Sequence, residues 1–310
     1  MSRKIRWPDG RAFAFTVFDD TDRATAENIR EVYAFLKDLG MFTTKSVWPI
    51  RGKETPRIGG ATCDDGDYCD FVRRLHAEGF EIGFHNATFH SSCREDTIRG
   101  LDTFARYFGH DPATHANHAD NAEAIYWGED RLSGMYRAGY NLLTQFRNRG
   151  RFRGHREGDP CFWGDVCKSR IKYVRNFVYS EMNTLRLCPF MPYHDPQRPY
   201  VNYWFASSEG PEVGAFNGCV AEAAQDRLEA EGGACIMYTH FAYGFQEGRD
   251  LQPRFERLLR RLAGKNGWFV PVSRLLDFLL EHNGRNVITD RERASLERRW
   301  LFNKVFRGTS

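Results

Sequence analysis

Short apolar runs alternate along this chain with longer stretches whose apolar residues recur every three to four positions. The first pattern predicts buried strands and the second amphipathic helices. The run AFAFTVF at 12–18 reads as a buried strand; after it Ile29, Val32, Tyr33, Leu36 and Leu39 share one helical face, and Gly40 stops that helix. A strand near 42–49, a helix containing Phe71, Val72 and Leu75, a strand over 80–85 and a helix marked by Ile98, Leu101, Phe104 and Ala105 repeat the unit. The alternation continues with a short strand around 113–117, a helix over 129–138 and a strand over 140–144. Residues 145–215, rich in Arg, Pro and aromatics, carry no readable period. Beyond them a helix at 219–231, a strand at 234–240, a helix at 252–263, a short strand at 268–270 and a helix at 273–282 restore it. Repeated β/α units predict an α/β fold built on a parallel sheet or barrel.

A chain of 310 residues with 41% hydrophobic and 15% aromatic content has ample core for one large barrel or two small domains. Its charge balance, 44 − 41 = +3, is too small to indicate a dedicated nucleic-acid or membrane-surface protein. The charge is unevenly placed. Arg147, Arg149, Arg151, Arg153 and Arg156 crowd one segment, either a solvated loop or a hold for the phosphates of a nucleotide sugar or lipid-linked sugar. From Glu281 onward seven Lys/Arg meet four Asp/Glu, so 7 − 4 = +3 equals the net charge. That tail carries Thr289 and Glu292 as a capping box, then Leu296, Trp300 and Leu301 on a helix expected to pack on its own domain or on a sister subunit. Residues 286–310 are therefore read as a helical appendage to a domain spanning 1–285. The polar start MSRKIRWPDG and the lack of an apolar run of roughly 18 residues predict a soluble, cytoplasmic protein without a transmembrane segment. Eight cysteines without a CxxC pair read as reduced thiols, not as a zinc knuckle.

Four polar clusters fall where predicted strands end, the rim at which barrel enzymes gather their chemistry. The first is Asp19, Asp20 and Asp22 in FDDTD, either a helix cap or a pair of carboxylates, one binding metal and one handling protons. The second, EIGFHNATFHSS, holds His85 and His90, two imidazoles close enough to share an ion. The third, ANHADNAEAIYWG, sets Asn117, His118 and Asn121 beside Trp127: candidate substrate-binding groups for a carbohydrate ring, or a loop held by its own Asn side chains. The fourth delivers His240 at the end of an apolar strand, where proton transfer or a structural hydrogen bond would account for it.

In this order the clusters resemble the polysaccharide-deacetylase family, the NodB homology domain or carbohydrate esterase family 4, over roughly residues 10–285. TVFDD at Thr16–Asp20 is similar to the family's TFDD, which implies Asp19 as catalytic base and Asp20 as metal ligand. Glu81–His85 matches EIGxH, implying His85 as second ligand. The family's next His falls where this chain has Phe89 and His90 follows one residue later; either a local bulge brings His90 to the metal, the reading adopted here, or a water or another side chain takes that position. The usual Arg and Pro motif is absent, with Asn117 and His118 in its place. The late motif matches Met237–His240 and implies His240 as general acid. The resemblance further implies an incomplete (β/α) barrel of about seven strands and a divalent metal, zinc first, with cobalt, nickel or manganese as alternatives. The implied activity is release of an acetyl or formyl group from an amino sugar, in surface-polysaccharide or O-antigen biosynthesis. A glycan or small-molecule substrate is the expected partner, with a homo-oligomer allowed and nucleic acid not expected. A catalytically inactive sugar-binding or scaffold protein, or hydrolysis of another amide, stands as the alternative.

Overall fold

Strand β1 (Phe13–Asp19) is buried at every position and takes a parallel partner on each side, β2 (Thr44–Val47) and β7 (Ala234–Thr239). A strand apolar on both faces needs cover on both, which a helix-wrapped parallel sheet supplies. In the computed structural model, which describes residues 5–284 and 286–308, the circle is completed by β3 (Glu81–Phe84), β4 (Thr114–His115), β5 (Tyr173–Tyr179) and β6 (Tyr203–Glu209). Neighbours pair in parallel in the order β1 to β7 and back to β1, a closed seven-stranded barrel. A two-residue hairpin pair, β8 (Gln246–Glu247) and β9 (Asp250–Leu251), stands apart, and β10 (Gly267–Phe269) lies outside the circle against the start of β1.

The helices in chain order are α1 (Ala26–Asp38), α2 (Gly66–Ala77), α3 (Arg94–Phe108), α4 (Gly134–Leu143), α5 (Gly164–Arg170), α6 (Thr184–Leu187), α7 (Val213–Cys219), α8 (Glu222–Glu231), α9 (Pro253–Ala263), α10 (Val272–Asn283) and α11 (Asp290–Arg307). Helix α1 shows why the local reading succeeds: Thr25 and Asn28 form a reciprocal cap, and Ile29, Val32, Tyr33 and Leu36 are buried on the barrel. Burial of each such side chain stabilises the fold by roughly 1.5–3 kcal/mol.

Two expectations fail between residues 129 and 144. The helix expected over 129–138 is a short 3-10 turn at Gly128–Arg131 followed by α4, and the strand expected over 140–144 is the end of α4. Leu142 and Leu143 are an apolar pair on an exposed helix face, which a short run cannot distinguish from a strand. The unparsed region holds two long barrel strands, β5 and β6. Arg175 and Asn176 interrupt the apolar pattern of β5, and Ser207 and Ser208 that of β6, yet all four are buried.

The capping box at Thr289 and Glu292 opens α11 as expected. Its inner face buries Leu296 and Trp300, and Arg293 and Glu297 join Asp195 and Arg198 in a buried ion network. The helix crosses the barrel rim, where Ser180 just past β5 bonds Asn303 at 2.9 Å. The expected domain boundary at residue 285, and the first four and last two residues, lie outside the described residues. All eight cysteines are free. Among the described residues no helix is long and apolar enough to cross a membrane.

Candidate metal centre

Because every barrel strand is parallel, their C-terminal ends meet at one rim. At the end of β1 the chain turns at once: Asp20 N–H donates to Thr239 O at 2.8 Å, Ala24 N–H to Thr21 O at 2.9 Å, and Thr25 caps α1. The turn sends the three carboxylates of FDDTD in different directions. Asp22 meets three imidazoles, its oxygens lying 3.2 Å from His85 Nε2, 3.5 Å from His240 Nε2 and 3.7 Å from His118 Nε2. All four side chains are buried.

The other ring nitrogens decide what those contacts are. Nδ1–H of His85 donates to Ala116 O at 2.8 Å, that of His118 to Asn121 Oδ1 at 2.8 Å, and that of His240 to Pro211 O at 2.6 Å. Carbonyl oxygens only accept, and Asn121 is oriented by its own Nδ2, which donates to Thr88 O and Glu123 Oε1 at 2.9 and 2.7 Å. With Nδ1 protonated, a neutral ring turns its Nε2 lone pair toward Asp22. Acceptors therefore face an acceptor, and the buried His118 Nε2 has no hydrogen-bond partner. A cation resolves that arrangement, and imidazole with carboxylate suits a first-row divalent ion. Rings held from behind through Nδ1–H are the outer support that metal-ligating imidazoles use. The donor set thus fits a metal. Asp22, His85 and His118 place one ligand atom each within 4.8 Å of one another, and they form the one such group of three or more among the described residues.

Burial alone would raise the Asp22 carboxyl; positive charge on the facing His85, His240 and His118 rings would outweigh it and hold the group below the usual range. Burial also holds the His118 ring below its ordinary value, with Asp22 opposing. His240 stands beside the group, its Nε2 also 3.3 Å from Tyr238 OH. The half-buried Tyr243 ring lies 4.6 Å from that of His240, with the exposed Arg23 over it at 5.6 Å.

The other two carboxylates have different partners. Asp20 takes both terminal nitrogens of Arg175, at 3.0 and 2.5 Å, and the guanidinium lies 4.4 Å from the Tyr238 ring centre. Burial pushes Asp20 up, but Arg175 and then His85 pull it below the ordinary carboxylate range. Asp19 is enclosed: Lys45 Nζ at 2.9 Å, Tyr33 OH at 2.8 Å and Phe241 N–H at 2.8 Å all point at it. Burial raises Asp19 even so.

The trio expected from the sequence, Asp20, His85 and His90, is not brought together. Asp20 is occupied by Arg175, and His90 sits in the loop with Nε2 accepting from Lys53 N–H at 2.7 Å and Nδ1–H donating to Ser91 O at 2.9 Å. No bulge turns it inward, because Phe89 packs edge-on against Trp48 at 5.5 Å and Trp48 backs His118 at 5.4 Å. His118, expected to touch substrate, joins Asp22 and His85 in the group that could hold a metal. Asn117, expected to touch substrate, binds Ile125 N–H and C=O at 2.8 and 3.0 Å. Asn121 holds His118, and Trp127 lies under the Arg131 guanidinium at 3.2 Å. The Asn side chains thus hold their own loop.

Three contributors escaped the sequence reading. Arg175 comes from β5, 155 positions from Asp20, and supplies a guanidinium that no local motif announces. Glu123 gathers Ser92 N–H at 3.0 Å and the amides of Asn86 and Asn121 at 2.9 and 2.7 Å. Burial pushes this carboxyl up to about 7 against those donors. Gly154 packs so near Glu123 O that a Cβ would stand 1.9 Å from it, so only glycine fits. Asp22 as a candidate ligand is a fourth miss and the most accessible, since it stands two residues beyond the recognised pair.

No family model and no curated protein matches the chain by sequence. Solved structures do match by shape. A Mycobacterium smegmatis protein described as a polysaccharide deacetylase superposes with TM-score 0.55 at 12% identity, over 93% of this chain and 97% of that one. The chain has the polysaccharide-deacetylase fold. A Pseudomonas aeruginosa PAO1 protein described as a polysaccharide deacetylase gives 0.51 at 12% identity, over 89% of this chain and 93% of that one. An allantoinase, Puue, gives 0.52 at 12% identity with the same coverage, 89% and 93%. The NodB-type barrel therefore also carries an enzyme not named a deacetylase.

Proposed function

We propose that this chain is a metal-dependent amidohydrolase that removes a small N-acyl group, acetyl or formyl, from an amino sugar. The observation that carries the reading is the convergence of three Nε2 atoms on Asp22 at the catalytic rim of this fold. Asp22, His85 and His118 are the residues that would hold the ion, zinc first, with cobalt, nickel or manganese as alternatives. Such an ion supplies Lewis acidity toward the acyl oxygen and makes water a stronger nucleophile.

The protein's own groups supply the rest. Compared with the roles expected from the motif, each moves along the chain: Asp20, ionised and oriented by Arg175, takes the proton of the attacking water, and Asp22 replaces Asp20 as ligand. Asp19, with three donors on it, braces the turn. His240 in its protonated form gives a proton to the nitrogen as the C–N bond breaks, its ring aimed by Pro211 O. The half-buried Tyr243 ring beside His240 would suit a sugar ring. A surface-glycan or O-antigen precursor handled in the cytoplasm remains our assignment of setting.

Zinc-loaded protein should release acetate or formate from N-acyl amino sugars, and Asp20→Asn should keep its metal while turnover falls about 10²–10⁴-fold. Metal uptake with no turnover on any amide would favour the sugar-binding alternative. Turnover confined to non-sugar amides would favour the second hydrolase reading, which the Puue allantoinase match supports. Failure to take up any divalent ion would remove the centre as drawn.

A further inference from the structure

Of the eight large apolar side chains exposed among the described residues, seven lie on one pair of helices. Met135, Leu142, Leu143 and Phe146 ride on α4 and the turn after it, and Phe302, Val305 and Phe306 on α11. Met135, Leu142 and Phe306 are 78%, 72% and 70% exposed, which is full presentation to solvent and not partial cover. The helices are packed together through Ser133 on Glu297 at 2.8 Å and Tyr140 on Trp300 at 5.8 Å. Each helix thus already buries an aromatic ring on its inner side and shows apolar side chains again on its outer side, which a helix that faces only water does not need.

The segments that carry these side chains are rich in cations. Residues 131–156 contain seven Arg and no Asp or Glu, and no acid follows Glu297. Several of these cations are neutralised from elsewhere: Arg137 and Arg156 by Asp130, Arg151 by Asp120, Arg153 by Asp159. Arg147, Arg149, Arg298 and Arg307 are exposed and make no ion pair among the described residues. Arg149 lies 6.0 Å over the Phe146 ring, so cation and apolar surface alternate on the same face.

That combination selects the occupant. A two-fold contact between copies of this chain would set the patch against itself, one arginine-rich face against another. An anionic bilayer instead offers an apolar interior to Leu142 and Phe306 and negative headgroups to the cations around them. We infer that the α4–α11 face docks this protein peripherally on an anionic lipid surface. The face adjoins the catalytic rim, since α11 meets Ser180 past β5 and the loop carrying His118 runs into α4. Docking thus sets that rim near the bilayer, and the inference stands independently of the reaction proposed above. The small net charge concealed this surface, because the acids that balance it lie elsewhere.

Vesicle flotation tests it, with phosphatidylcholine alone and with about 30% phosphatidylglycerol added. The protein should float with the anionic vesicles, less as salt rises, and should leave phosphatidylcholine vesicles largely unbound. Leu142→Glu combined with Phe306→Glu should cut binding about tenfold or more, and Arg147→Glu with Arg149→Glu should erase the preference for anionic lipid. All four side chains are exposed, so circular dichroism and metal content should match the parent. No binding to anionic vesicles, or binding indifferent to both pairs of substitutions, would overturn the inference. A parent dimer made monomeric by Leu142→Glu and Phe306→Glu would overturn it in favour of a second copy.

Discussion

Asp19 at the end of β1 and Asp22 on the turn that follows stand three positions apart, both buried, and their surroundings are opposite in kind. Donors surround Asp19: an ammonium, a phenol and a backbone N–H, each within 2.9 Å. Acceptors surround Asp22, three imidazole nitrogens whose protons are held on the far side of each ring. A carboxylate with its hydrogen bonds complete braces the structure, whereas one facing lone pairs is a half-made site that a cation completes. Identity and burial are shared, so partner type alone separates the proposed brace from the proposed ligand.

The largest effect should come from cutting the Asp22 side. Asp22→Ala should lose divalent metal beyond the roughly 100-fold that an outer partner accounts for, and with it turnover. Elemental analysis after dialysis reads this directly, and full occupancy would break the comparison. Asp19→Asn should do the reverse, retaining metal while losing about 3–5 kcal/mol of stability, because Lys45 is left buried without its counter-charge. Urea denaturation measures that loss; an unaltered midpoint would mean that Asp19 braces nothing.

A pH dependence comes next. Burial pushes Glu123 up to about 7 from an ordinary 4.5, so folding favours its neutral form. Its contribution is full below about pH 4.5 and is lost as the pH rises through 7. Relative to Glu123→Gln, the parent should lose up to about 3 kcal/mol between pH 4.5 and 8 in urea melts, and a constant difference would show that the three donors keep the carboxylate charged throughout.

Asn121→Ala should weaken metal binding about 10–100-fold, by freeing His118 Nδ1–H from its acceptor. Competition against a chromophoric chelator would show it, and unchanged affinity would mean that His118 needs no orienting. The smallest effect belongs to His90→Ala, which should leave metal affinity as it is and alter stability by no more than about 0.5 kcal/mol. A large loss of metal from that variant would restore the motif-based ligand set and remove His118 from it.

Much of the barrel was legible because its information is local. In α1 a cap and a 3.6-residue period are both written within a dozen residues, and β1 and β7 announce themselves as uninterrupted apolar runs. β5 was not legible, because Arg175 looks solvent-seeking until Asp20 arrives from across the barrel to pair with it. The apolar pair in α4 misled for the complementary reason: Leu142 and Leu143 are apolar without being buried.

The sequence by itself determined that polar clusters would stand at strand ends, since strand period and loop position are properties of short segments. It placed His85 and His240 at the rim and put three aspartates on the turn after β1. Only the tertiary structure decided which aspartate does what. The direction of a side chain on a turn, and whether a donor or a lone pair meets it, depend on residues brought from His118, Arg175, Lys45 and Phe241. A motif one residue out of step cannot supply that information, because shifting one position on a turn re-aims the carboxylate while leaving its chemistry unchanged.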